Sequence, residues 1–171
     1  MSSQHSVALL RGINVGTSKR IAMPALRSVF EALGATDVST YLQSGNVVFA
    51  GSLTAPAVEA AVSAEFGVAP RVLVLTASEF RRAAAENPLL GMAADPSRLF
   101  VYFVDAVPAS IEPPVDIEPE VVVIGEHAVY QWSPEGIGKT KVPPRFTKSL
   151  GPTATARNQR TVEALLAMLD S

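Results

Sequence analysis

Between Ser6 and Leu75 the chain alternates short aliphatic runs with two amphipathic stretches, in the order β-α-β-β-α-β. That order constrains the fold more than any other feature, because few sheet topologies accommodate it. Ser6–Arg11 reads as a buried strand, with Val7, Ala8, Leu9 and Leu10 in a row, and a Gly-, Asn- and Ser-containing loop runs from Gly12 to Arg20. Pro24 opens a helix with Met23, Leu26, Phe30 and Leu33 on one face, and Gly34 stops it. Strands are predicted over Val38–Leu42 and Asn46–Ala50, with Ser44-Gly45 as the tight turn between them. Thr54 and Pro56 start a second helix that carries Val58, Val62 and Phe66 and ends at Gly67, and Arg71–Leu75 is the fourth strand.

The β-α-β-β-α-β order is the ferredoxin-like plan, an antiparallel four-stranded sheet with two helices on one face. Thr76-Ala77-Ser78-Glu79 has capping-box spacing and begins a third helix, which ends before Pro88. From about Arg98 a second, smaller α+β subdomain is expected. It has a strand over Leu99–Val104, a proline-rich loop from Pro108 to Pro119, and a hairpin of Val121–Ile124 with Ala128–Trp132 across Gly125. A loop from Ser133 to Pro144 and a helical turn around Phe146–Leu150 follow. A last helix carries Val162, Leu165, Leu166 and Leu169 inward. The fold class is therefore α+β, with residues 1–90 and 91–171 as two subdomains of one compact unit.

Charge is segregated although the net charge is only -2. Met1 to Phe30 holds four basic residues (Arg11, Lys19, Arg20, Arg27) and no acid, and Gly136 to Val162 holds six (Lys139, Lys141, Arg145, Lys148, Arg157, Arg160) and no acid. Between Asp105 and Glu135 there are seven acids and no Lys or Arg. With no cysteine, disulfides and thiolate chemistry are excluded. His5 and His127 have no partner at ligand spacing, so neither a metal nor a cofactor is expected. Met1-Ser2-Ser3 leads straight into the first strand rather than into a signal peptide, and no apolar run has the length of a membrane span. A cytoplasmic protein with no membrane association is the expectation.

Two polar motifs lie within the acid-free stretches. Leu9-Leu10-Arg11-Gly12-Ile13-Asn14-Val15-Gly16 ends the first strand, where sites form readily on a rigid scaffold. Thr155-Ala156-Arg157-Asn158-Gln159-Arg160-Thr161 is read as opening the last helix. Arg157 and Thr161 would then share a face, with Asn158 on the buried stripe, at a helix start suited to an anion. Ser44 and Asn46 in the hairpin turn add hydroxyl and amide groups, and Lys139 adds a point charge. The candidate ligand-binding set is thus Arg11, Asn14, Ser44, Asn46, Lys139, Thr155, Arg157, Asn158 and Thr161. Members of this set donate hydrogen bonds but include no general base, so whether a reaction follows is open. Gly136-Ile137-Gly138-Lys139-Thr140 resembles a phosphate loop, but Ser133 stands where the first Gly belongs and Pro143-Pro144 blocks the helix that should follow.

A small anionic or phosphorylated ligand, held in a cleft between the subdomains, is the leading reading. Nucleic-acid binding through the basic C-terminal segment is the alternative, disfavoured by a pI near 5.7 and by strands poor in stacking aromatics. A third possibility is an interaction module whose polar motifs are structural only. The sequence does not set the oligomeric state.

The two motifs, together with Gln43-Ser44-Gly45-Asn46-Val47-Val48-Phe49, resemble the DUF1697 family of bacterial proteins, from about Val7 to Leu169. The resemblance implies an α+β fold of two subdomains, the first ferredoxin-like, and no assigned activity. One departure is that such proteins usually carry a longer helix before the C-terminal motif, for which Pro143-Pro144 leaves little room.

Overall fold

A computed structural model describes residues 4–16 and 20–171. Met1 to Ser3 of the expected leaderless start, and Thr17, Ser18 and Lys19 of the basic N-terminal stretch, lie outside the described residues. The chain is a mixed α+β protein with two four-stranded antiparallel sheets and five helices among the described residues. It divides into two compact units, Met1–Phe80 with Ala164–Ser171, and Arg81–Glu163.

In the first unit, β1 (His5–Arg11), β2 (Thr36–Tyr41), β3 (Asn46–Ala50) and β4 (Arg71–Thr76) form a sheet in the order β2-β3-β1-β4. Helices α1 (Met23–Ala32) and α2 (Ala55–Phe66) supply Leu26, Phe30, Val58 and Val62 to a core that includes Ala8, Leu10, Val47, Phe49 and Val72 from one face of the sheet. Those sheet residues alternate with Val7, Leu9, Val48 and Leu73, which are buried as well, so both faces are covered. This explains why the strands read as continuous apolar runs rather than as alternating ones. Local signals set the ends of the elements. The Thr54 hydroxyl accepts from the Ala57 N–H at 3.3 Å to cap α2. Before α3 (Ala77–Ala85) the Thr76 hydroxyl accepts from the Glu79 N–H at 3.1 Å, while the Glu79 carboxylate accepts from the Thr76 N–H at 3.0 Å.

In the second unit, β5 (Leu99–Phe103), β6 (Val121–Ile124), β7 (Ala128–Trp132) and β8 (Thr155–Asn158) form a sheet in the order β6-β7-β5-β8. Tyr102, Val129, Val122 and Ile124 lie on one face of it and pack with Ile117, Val142, Phe146 and Leu150, the last two from the short helix α4 (Pro144–Ser149) and its end. The long proline-rich connection between β5 and β6 carries no regular element, as expected.

The helix reading of the C-terminal motif is corrected. Thr155–Asn158 is a strand, and α5 begins only at Gln159 and runs to Asp170. Arg157 lies opposite Val101 and Thr155 opposite Phe103, so the motif closes the exposed side of β5. Arg157 and Thr161 therefore do not share a helix face, and Asn158 is not on a buried helical stripe. The physical reason lies in Asn158 itself. Its side-chain oxygen accepts from the Thr161 N–H at 3.0 Å, the geometry of an N-cap, and an N-cap residue keeps extended backbone.

Candidate functional site

The N-terminal motif and the hairpin turn meet in the first unit. Asn14 adopts a left-handed backbone (φ 53°), which asparagine tolerates better than other non-glycine residues. Its amide nitrogen donates to the Gln43 carbonyl at 2.8 Å and to the Ile21 carbonyl at 3.1 Å, and its oxygen accepts from the Ile21 N–H at 2.6 Å. One side chain thus closes its own loop and ties it to the β2–β3 turn. Arg20 donates to the Gln43 side-chain oxygen at 2.9 Å, a second link between the same loops.

Backbone contacts complete the clasp. The Leu10 N–H donates to the Gly45 carbonyl at 2.8 Å. A Cβ on Gly45 would sit 2.9 Å from both Leu10 Cβ and Ile13 Cδ1, at a φ of 97°, so only glycine fits there. Asn46 is fully buried and donates to the Tyr41 carbonyl at 2.8 Å and to the Ser44 hydroxyl at 3.2 Å. Leu42, next to Gln43, is held at φ 60° although it is large and more than half exposed. A left-handed leucine costs about 1–2 kcal/mol, and such strain persists where its surroundings over-determine it.

Arg11, Gly12, Val15, Gly16, Arg20, Leu42, Gln43 and Ser44 are all exposed around this clasp. Arg11 lies opposite Arg71 in the antiparallel β1–β4 pair, so both side chains leave the same face of the sheet, and both are exposed. Like charges placed opposite each other on adjacent strands repel one another. From Gly12 to Gly16 the positive φ values fall on alternate residues, at Gly12 (88°), Asn14 (53°) and Gly16 (58°). Left-handed residues recur in loops whose backbone N–H groups form anion-binding concavities, where they adjoin right-handed ones.

The remaining flagged residues lie in the second unit. Lys139 is exposed at the end of a 3-10 turn, Ile137–Lys139, so the Gly136–Thr140 run is a tight turn and no helix follows it directly. Thr155 is buried, and its hydroxyl donates to the Thr153 carbonyl at 2.9 Å. Arg157 is half-buried; one guanidinium nitrogen donates to the Ala156 carbonyl at 2.9 Å, and burial pulls its pKa down to about 10. Asn158 caps α5, and Thr161 is buried in that helix's first turn. A groove of about 470 Å³ lined by Pro108, Ile111, Pro143, Arg145 and Phe146 also belongs to this unit and contains none of the flagged residues.

Sequence reasoning passed over Glu120. Only 8% exposed, its carboxylate accepts from Gln131 Nε2 at 2.9 Å, the Ser133 hydroxyl at 2.6 Å, the Thr140 hydroxyl at 2.7 Å and the Lys141 N–H at 2.5 Å. The Tyr102 hydroxyl extends the network by donating to Gln131 Oε1 at 2.5 Å. Burial pushes the Glu120 pKa up, but the four hydrogen bonds outweigh it and hold the group below the usual glutamate value. Burial and the nearby Glu120 charge in turn push the Tyr102 phenol up to about 12. The one available signal was an acid placed directly before the aliphatic run of β6. Arg20 and Gln43 were visible as polar residues, but their pairing across 23 positions was not.

Among known proteins, the chain belongs to DUF1697, a family of proteins of unknown function, whose model matches residues 3–130. The first motif and the hairpin turn fall inside that segment, and Thr155–Thr161 falls beyond it. The structure resembles that of the conserved bacterial protein SP0830 from Streptococcus pneumoniae, with a TM-score of 0.70 and 23% sequence identity, covering 98% of this chain and 99% of that one. At this identity the likeness speaks for the fold. No curated protein matches the chain. Among the described residues no helix is long and apolar enough to cross a membrane.

Proposed function

We propose that the clasped loops of the first unit bind a small anionic ligand, phosphorylated or carboxylated. The observation that carries this reading is the run of left-handed residues at Gly12, Asn14 and Gly16, in a loop flanked by Arg11 and Arg20. The chemistry of the surroundings agrees. The sequence has no acid from Met1 to Phe30 and none from Val38 to Val58, so neither loop contains a carboxylate that would compete with an anion. The same residues supply donors and positive charge but no general acid or base, so the site's role is to bind and orient. Asn14, Ser44 and Asn46 serve it indirectly by fixing the loops. The reading takes the first unit as ferredoxin-like, from its element order and the sheet order β2-β3-β1-β4. It places the protein in the cytoplasm, where charge retains phosphorylated metabolites behind the membrane.

Thermal-shift titration with inorganic phosphate, pyrophosphate, citrate and a set of sugar and nucleoside phosphates tests the reading. At least one anion should raise the melting temperature of the wild-type chain, and Arg20→Gln should abolish that rise while its own melting temperature stays within a few degrees. Absence of any shift, or an equal shift in Arg20→Gln and Arg11→Gln, overturns it.

The second unit supports a different partner. Lys139, Arg145 and Lys148 are exposed within ten positions of an acid-free stretch, a pattern that favours a polyanion such as nucleic acid. Binding of short RNA or DNA that falls steeply with salt and is lost in the triple Gln variant of those residues would favour this reading over the first.

A further inference from the structure

Each four-stranded sheet has two edge strands, and an unprotected edge is a template for another chain. Three of the four edges are managed. In β2 the register shifts between Thr36 and Ser39, with Asp37 at φ 49°, so the edge is bent out of regular pairing. In β4 the Val72 N–H is capped by the Glu59 carboxylate at 3.0 Å. In β8 the Arg157 guanidinium covers the Ala156 carbonyl at 2.9 Å.

β6 has no such device. It is Val121-Val122-Val123-Ile124, four aliphatic residues in a row, and each remains partly exposed. The orientation of its backbone follows from the hairpin. The Gly125 N–H donates to the Ala128 carbonyl at 2.9 Å, which makes that pair a hydrogen-bonded one. Hydrogen-bonded and open pairs alternate along an antiparallel ladder. Val123 with Tyr130 and Val121 with Trp132 are therefore bonded within the sheet, while Val122 and Ile124 turn their N–H and C=O groups outward. Among the described residues no hydrogen bond reaches those outward groups.

We propose that the outer edge of β6 takes up an extended aliphatic segment of a partner protein, with basic residues at its ends, as a fifth strand of the second sheet. The aliphatic requirement comes from β6, which presents Val122 and Ile124 on the core face and Val121 and Val123 on the other, so neither face of the added strand meets a polar neighbour. The basic requirement comes from the flanks. Asp116, Glu118 and Glu126 are exposed on either side of the strand, within the stretch from Asp105 to Glu135 that has seven acids and no Lys or Arg. Lys141 reaches this region with its ammonium on the Glu118 carbonyl at 2.7 Å, leaving the carboxylate charges in excess. The same flanks disfavour a second copy of this chain. Antiparallel self-pairing centred on Val123 would set Glu120 against Glu126 of the other copy at both ends.

The probe is a synthetic peptide, Lys-Val-Ile-Val-Ile-Lys, added to the full chain and followed by amide hydrogen exchange. The expected result is that exchange at Val122 and Ile124 slows about tenfold while Val121 and Val123, already bonded to β7, change little. The slowing should weaken with salt and be absent for the same peptide N-methylated at alternate amides, which leaves the protein itself unaltered. No slowing at peptide concentrations up to about a millimolar overturns the proposal. So does equal slowing by a peptide with Glu ends, or slowing that follows protein concentration without any peptide, the signature of a second copy on the edge.

Discussion

Asn14 and Gln43 are separated by 29 positions, yet the Asn14 amide donates to the Gln43 carbonyl at 2.8 Å, and this bond holds the two N-terminal motifs together. The same amide makes both bonds to Ile21. Removing it strands backbone groups in a partly buried loop, a loss of about 1–3 kcal/mol for the group left unpaired. Asn14→Ala is expected to lose about 3 kcal/mol in urea unfolding, because alanine also resists the left-handed backbone. Asn14→Gly loses the same bonds without the backbone penalty, so it should be about 1 kcal/mol milder. A stability of Asn14→Ala within about 0.5 kcal/mol of wild type would show that the clasp is not held this way.

Gly45 tests the close approach rather than the hydrogen bonds. A Cβ there meets Leu10 Cβ and Ile13 Cδ1 at 2.9 Å, and the positive φ adds strain. Ile13 could yield, but Leu10 Cβ is fixed to the central strand. Gly45→Ala is expected to cost about 2–4 kcal/mol in urea unfolding. The double variant Gly45→Ala with Ile13→Val should recover only a part of that loss, since the contact with Leu10 remains. Full recovery would place the conflict on Ile13 alone.

These two variants also mark where the sequence was legible. The β-α-β-β-α-β order and the capping box at Thr76 and Glu79 could be read because their signals are local, within four residues or one amphipathic period. The clasp could not be read, because nothing at Asn14 says which distant carbonyl its amide will meet. Arg157 failed for a different reason. Asn158 stands four residues before Val162 and seven before Leu165, so the helical period of the last helix extends back through the motif. The open side of β5 outweighed it, since Phe100–Phe103 pairs with Thr155–Asn158. The better clue was Asn158, a strong N-cap residue that marks where the helix begins and hence where the strand ends. Glu120 escaped notice because one acid of an acidic, proline-containing stretch reads as surface, and its donors come from positions 11 to 21 residues further on.

The cap role of Asn158 can be separated from a ligand role. Asn158→Asp and Asn158→Ser keep an acceptor for the Thr161 N–H, whereas Asn158→Ala does not. Thermal unfolding should rank Asp and Ser close to wild type and Ala about 1 kcal/mol less stable. An anion that contacted Asn158 directly would be weakened by Asn158→Asp through charge repulsion, with stability unchanged. Equal anion-induced shifts in wild type and Asn158→Asp are expected, because the proposed site lies on the first unit.

Glu120 makes stability depend on pH with a definite sign. Its folded pKa lies below the ordinary glutamate value of 4.5, so as pH falls through that region the unfolded chain takes up the proton first. The carboxylate's contribution is therefore complete above pH 4.5 and is lost as pH drops through the folded value. Glu120→Gln removes the charge and turns an amide N–H toward donors, which should destabilise the protein by about 2–3 kcal/mol near neutral pH. Every other carboxylate is shared by the two proteins, so the difference between their urea midpoints reports Glu120 alone. That difference should be constant from pH 7 to about pH 5 and shrink as pH falls further. A gap that stays constant down to the lowest pH at which both proteins fold would mean that Glu120 keeps an unshifted pKa, and that its four hydrogen bonds do no more than offset its burial.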